Sequence, residues 1–334
     1  LIICNGKPHY HFCRVREMTK NKKSAGYLAL YQSGELTKRI DQLTTIIAEC
    51  TLCPRSCKVN RIDGEKGFCR TGKNAVVASY CAHFGEESCL VGASGSGTIF
   101  FSNCNLGCVF CQNFSISHQG EGIEVDSGQL AAIMVSLQKQ GCHNINLVTP
   151  SHVVPQIAAA LPAAIEKGLT LPLVYNSSGY DSVATLRLLA GIVDIYMPDF
   201  KFWSSASAKR FANAPDYPDK AGKAISEMHR QVGDLQTDAN GIAVKGLLVR
   251  HLVMPGGLAE TEEIMRFLAA LSEQTHVNVM EQYRPLYKAA KFPPIDKPLS
   301  HEEYQKAVSL AEQAGLKRLE QNGLLYLLRK MMHQ

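Results

Sequence analysis

Short apolar runs alternate with amphipathic stretches six times between residues 98 and 315, and that alternation leaves few folds open. The runs are TIFFSN (98–103), NINLVT (144–149), LPLVYN (171–176), VDIYMPDF (193–200), GLLVRHLVM (246–254) and VNVME (277–281). Helical spacing follows each of them: near 127–140, 154–168 and 182–190, then across a long segment ending near 234, then near 260–273 and 301–315. Strands joined in this way by helical crossovers form a parallel sheet. Six units fall short of the eight of a closed barrel, so an open, partial (β/α)6 barrel is expected. With 46% hydrophobic and 19% charged residues in 334, the chain can bury a large core, and wholesale disorder is excluded.

Polar residues gather just after these runs. Cys104 follows the first, Thr149-Pro150-Ser151-His152 the second and Asn176-Ser177-Ser178-Gly179 the third. Asp199 and Lys201 close the fourth, Arg250 and His251 sit within the fifth, and Gln282 and Tyr283 follow the sixth. Parallel α/β folds place their active sites at the carboxyl ends of the strands, so these groups are expected to share one mouth.

All twelve cysteines lie within the first 142 residues. Clustered cysteines in a large chain read as metal-binding and cytosolic rather than as a disulfide framework. Cys104, Cys108 and Cys111 form a C-x3-C-x2-C run, whose thiolates can ligate three irons of a cubane 4Fe–4S cluster and leave the fourth iron open. Three zinc ligands, or three buried structural cysteines, would share that spacing. Cys50, Cys53, Cys57 and Cys69 form a second set within 20 residues, suited to structural zinc or to an auxiliary Fe–S cluster. The surrounding segment, 50–72, reads as loop built around a metal, and apolar spacing before it predicts one or two helices. The expected organisation is a helical, cysteine-rich metal-binding module over 1–90, the partial barrel over 91–320 and a tail over 321–334. His83, Glu86 and Glu87 in CAHFGEES could ligate metal or bind substrate, but read first as solvated side chains on the surface.

The net charge of +5 comes without a Lys/Arg block, so nucleic acid is not an expected partner. No stretch approaches ~20 consecutive apolar residues, so no membrane span is expected. The apolar start of the chain is too short for a secretion signal, and a cytoplasmic location is expected.

The C-x3-C-x2-C run, with Phe110 before its last cysteine, resembles the signature of the radical S-adenosylmethionine (SAM) superfamily, and the likeness covers about residues 80–320. GSGTIFFSNCNLGCVFCQN, DIYMPDFK and VRHLVMPGG are similar to the activating enzyme of pyruvate formate-lyase. They are still more similar to activase-like homologues with an extra N-terminal cysteine motif. The resemblance implies that Cys104, Cys108 and Cys111 hold the 4Fe–4S cluster and that SAM chelates its free iron. Thr149-Pro150-Ser151-His152 stands where the family carries Gly-Gly-Glu, so Thr149 and His152 are expected near SAM. Asn176 matches a Thr-Asn-Gly turn. Asp199 and Lys201 match Asp-Leu-Lys, with Lys201 on the SAM carboxylate, and Arg250 matches the Arg of an Arg-Tyr pair.

The implied activity is that of an oxidoreductase. SAM is cleaved reductively to a 5′-deoxyadenosyl radical that abstracts hydrogen from a protein or peptide, glycyl-radical installation included. A low-potential donor such as flavodoxin or ferredoxin supplies the electron. Radical modification of another peptide or of a small molecule stays open, as does a non-catalytic zinc or Fe–S adaptor or electron carrier.

Overall fold

A computed structural model describes residues 25–320; the first 24 residues and the expected tail, 321–334, lie outside that range. Ten strands occur in it: β1 (Ala75–His83), β2 (Ser96–Phe101), β3 (Ile123–Val125), β4 (Ile145–Val148), β5 (Leu173–Ser177), β6 (Ile195–Pro198), β7 (Gln236–Thr237), β8 (Ala243–Leu252), β9 (His276–Met280) and β10 (Arg318–Leu319). The sheet order is β10-β9-β8-β6-β5-β4-β2-β1-β3, with β7 on β8. From β2 to β10 all neighbours on this path run parallel. Among the described residues the path does not close, so the sheet is open, and the six expected strands are all present as β2, β4, β5, β6, β8 and β9.

The register lines up the carboxyl ends. Phe100 lies opposite Val148, Val148 opposite Asn176, and Asn176 opposite Met197. Further along, Asp199 bridges to Arg250, and Arg250 lies opposite Asn278. Polar residues at the six run ends therefore share one rim. Below the rim the strands alternate. Leu173 and Tyr175 join the main core under the helices, whereas Val174, Ile195, Met197 and Leu248 turn to the other face and are plugged by Leu90 and Leu235.

Local chemistry starts the helices where expected. Asp126 caps the helix Ser127–Lys139 in a capping box with Gln129, and Ser300 does the same with Glu303 for His301–Gln313. The first of these buries Leu130, Ala131, Met134 and Leu137 against the sheet.

The N-terminal helices Gly26–Gln32 and Glu35–Ile46 dock at the amino ends of the strands, away from the rim. Tyr27 Oη donates to the Leu171 carbonyl (2.9 Å) and the Gly26 N–H to Asp194 Oδ1 (2.9 Å). A Cβ at Gly26 would stand 2.5 Å from the Gly191 carbonyl oxygen, so this approach requires glycine. Residues 50–74 form no helix or strand, as the metal-loop reading expects. β1 differs from expectation. It pairs antiparallel with β2, Tyr80 opposite Ile99 and His83 opposite Ser96, so the sheet runs straight across the expected boundary at 90/91. Among the described residues, no helix is long and apolar enough to cross a membrane.

Candidate functional site

At the rim lies a cleft of about 260 Å³, partly open to solvent, lined by Cys104, Cys108, Cys111, Thr149, Asn176, Asp199, Lys201 and Arg250. Every residue singled out from the sequence for the cluster and its ligand is there, with the exception of His152.

The three cysteines sit on the loop leaving β2. That loop is fixed from outside: the Gly107 N–H donates to the Ala212 carbonyl (3.0 Å), the Val109 N–H to the Phe211 carbonyl (2.9 Å), and Asn105 Nδ2 to the Tyr180 carbonyl (2.7 Å). The Leu106 N–H points at Cys104 Sγ (3.3 Å). Phe110 is buried between the rings of Phe202 and Tyr283 and forms part of the cleft wall. Burial pushes the Cys104 thiol up to about 12 and raises Cys108 and Cys111 as well. Such thiols keep their protons until a metal displaces them. Among the described residues, no group of three or more His, Cys, Asp or Glu donors stands close enough to share one ion. Three cysteines spaced around an open cleft instead fit a polynuclear cluster, whose irons are each bound by a different thiolate.

Facing this loop is the end of β6. Lys201 Nζ is paired with Asp199, and the Lys201 N–H donates to Tyr217 Oη (2.9 Å). Burial alone would lower the Lys201 ammonium, but the Asp199 carboxylate beside it carries it above its usual value. A fixed positive charge therefore faces the cysteine loop. Gly179, in the turn after β5, lets that turn touch β6: a Cβ there would lie 2.2 Å from the Asp199 carbonyl oxygen, and its φ is +76°. Thr149 holds φ +60°, the left-handed region that a β-branched residue avoids, while its N–H donates to the Asn176 carbonyl (2.9 Å). That conformation costs about 1–3 kcal/mol, held by the surrounding turn, and such strain concentrates at functional sites.

Two readings need correction. His152 is not at the cleft. The turn begun at Thr149 and Pro150, with the Val153 N–H on the Pro150 carbonyl (2.9 Å), carries it away from the cleft. There its Nε2 meets the Ser102 carbonyl (2.8 Å), and burial lowers the ring to about 4, so it is neutral. It lines a separate cavity with Cys50, Cys53, Cys57 and Cys69.

Glu86 and Glu87 are not surface groups. Arg250 Nε donates to Glu87 Oε1 (2.7 Å) and its Nη2 to Glu87 Oε2 (2.6 Å), and Nη2 is also paired with Glu86. Asn278 Nδ2 donates to Glu87 Oε1 (2.7 Å), and His83 Nδ1 meets Glu86 Oε1 (3.0 Å). Burial would raise the Glu86 carboxyl, yet the His83 ring and the Arg250 guanidinium hold it down at about 2. Glu86 thus presents a permanent carboxylate to the cleft, and Arg250 is already engaged by two acids. His251, by contrast, is a strut: fully buried, it bridges the Phe200 carbonyl (2.8 Å) and Thr261 Oγ1 (2.9 Å).

No family model matches the chain. Among solved structures, it is similar to TYW1 with a lysine–pyruvate adduct bound (11% identity, 65% of this chain and 73% of that one, TM-score 0.38). It is also similar to native anSMEcpe with bound AdoMet (9% identity, 65% and 61%, TM-score 0.46) and to HydG, a maturase of the [FeFe]-hydrogenase (16% identity, 65% and 49%, TM-score 0.45). In sequence it is 34% identical over 289 residues to the uncharacterized protein MJ0674 of Methanocaldococcus jannaschii, covering 84% of this chain and 79% of that one. The chain therefore belongs to the same protein family as MJ0674.

Proposed function

We propose that this protein is a radical SAM enzyme that acts on a protein or peptide, as the glycyl-radical activases do. One observation carries the reading: the C-x3-C-x2-C cysteines line a single strand-end cleft with a half-buried Lys201–Asp199 pair. A 4Fe–4S cluster at Cys104, Cys108 and Cys111, when bound, supplies the electron that cleaves SAM to the 5′-deoxyadenosyl radical, with flavodoxin or ferredoxin as the source.

The chain's own residues bind, orient and exclude. Lys201, a flexible point charge, would neutralise the SAM carboxylate. Glu86 and Asp199 are the carboxylates available to the amino group or ribose. Thr149 and Asn176 offer polar contacts between them, and Phe110 and Val148 offer apolar surface to adenine. Phe110, Leu252 and Met280 narrow the cleft wall with apolar side chains, which limits water around a radical. A cytoplasmic setting fits an oxygen-sensitive centre of this kind.

Anaerobic incubation of the iron- and sulfide-loaded protein with SAM and dithionite tests the reading. Formation of 5′-deoxyadenosine, abolished by changing Cys104, Cys108 and Cys111 to Ala, is the expected result. Its absence from the loaded wild type would exclude radical SAM chemistry.

A further inference from the structure

Beside the C-x3-C-x2-C loop, Cys50, Cys53, Cys57 and Cys69 line one small cavity, together with Arg55, Arg61 and His152. We propose that these four cysteines hold an iron–sulfur cluster, a second metal centre packed directly against the C-x3-C-x2-C loop. The assignment does not depend on the activity proposed above.

Charge is the first ground. Arg61 is buried to 1% exposure. Its Nε and Nη2 donate to the Gly72 carbonyl (3.1 and 2.9 Å) and its Nη1 to the His152 carbonyl (3.0 Å). Among the described residues no carboxylate pairs with it, and Cys50 Sγ lies 4.0 Å from Nη1. A guanidinium in such a place needs a counter-charge. Neutral thiols do not supply one. Metal-bound thiolates do supply one.

Unpartnered polar atoms are the second ground. Arg55 stacks its guanidinium over Phe68 at 3.8 Å, and its Nη2 is buried without an acceptor. His152 Nδ1 is likewise buried without a partner. Both residues line the cavity. A donor left without an acceptor beside four cysteines is placed to meet thiolate or sulfide sulfur.

Spacing chooses between zinc and a cluster. A tetrahedral zinc needs four sulfurs converging about 2.3 Å from one point. Here the cysteines line the cavity, and among the described residues no three His, Cys, Asp or Glu donors are placed to hold a single ion. A cluster places each thiolate on a different iron, or in pairs on two, and so does not require all four sulfurs to meet at one point.

The test uses the full chain with Cys104, Cys108 and Cys111 changed to Ala, reconstituted anaerobically with ferrous iron and sulfide. We expect about two to four irons per chain with matching sulfide and a brown visible spectrum. A companion chain with Cys50, Cys53, Cys57 and Cys69 changed to Ala should lose that same quantity of iron relative to wild type, which answers the case in which the first variant folds poorly. Zinc near one per chain without sulfide, or iron content unchanged in the companion chain, would overturn the proposal. Failure of SAM cleavage in the wild type would overturn the proposed activity and leave these metal counts standing.

Discussion

Arg55, on the four-cysteine loop, donates from Nε to the backbone carbonyl of Asn105, which lies between Cys104 and Cys108, at 2.9 Å. Its Nη1 donates to the Asn213 carbonyl (2.7 Å), at the end of the helix that braces the same loop. One side chain thus ties the two cysteine loops to each other and to the helix behind them.

Arg55→Ala should loosen the C-x3-C-x2-C loop without removing any cysteine. Two hydrogen bonds from a charged donor are lost, each worth about 1.5–3 kcal/mol in a favourable setting. The expected outcome is a melting temperature lowered by several degrees and faster loss of iron to a chelator, followed by absorbance. Unchanged iron release would mean that the loop is held by its own backbone bonds alone.

Lys201→Ala should weaken SAM binding by roughly 1.5–3 kcal/mol, the scale of a charge-assisted hydrogen bond. Iron and sulfide content should stay at the wild-type level, because Lys201 holds no metal. Anaerobic titration with SAM measures it, and wild-type affinity would remove Lys201 from the binding role.

Arg250→Met leaves Glu86 and Glu87 buried without their cation. Breaking such a set from one side costs about 3–5 kcal/mol. Adding Glu86→Gln and Glu87→Gln to the same chain should recover much of that loss, as read from denaturant midpoints. The Glu86 carboxyl sits near 2 when folded and at its ordinary value when unfolded. Its contribution is therefore complete above the ordinary carboxylate range and is lost as pH falls toward 2.

His251 predicts a second pH dependence, in a higher window. Burial lowers the ring to about 4, against about 6.5 when unfolded. Above 6.5 both states are neutral and the stabilisation is whole. Between 6.5 and 4 the unfolded chain takes up a proton that the folded one refuses, so stability falls by up to roughly 3 kcal/mol. His251→Gln should flatten that part of the stability–pH curve. An unchanged slope between pH 6.5 and 4 would assign the acid sensitivity to other groups, His152 first among them.

The parallel strands were readable because each is a short apolar run closed by polar residues: Ser96–Phe101 is buried along its whole length and then meets Ser102-Asn103-Cys104. β1 was not, because Ala75–His83 is only partly buried and stands beside a cysteine-rich loop that dominates its surroundings. Asp199 and Lys201 were legible as charge ending an apolar strand. Glu86 and Glu87 were not: adjacent acids after a glycine look solvated, and their cation is 163 residues further on. His152 was placed wrongly because position after a strand says nothing of the left-handed turn at Thr149 that redirects the chain.

The pairing of β1 with β2 reaches beyond architecture. The four-cysteine loop ends within a few residues of Ala75, where β1 begins, and β1 lies along the strand that delivers Cys104. Metal bound by Cys50–Cys69 would therefore be thermodynamically linked to the same sheet that carries the cleft. Stripping that metal should shift a single unfolding transition of the whole body, where a detachable module would melt separately. Any truncation made to isolate residues 91–320 would strip β2 of its neighbour and leave an unpaired apolar edge prone to self-association.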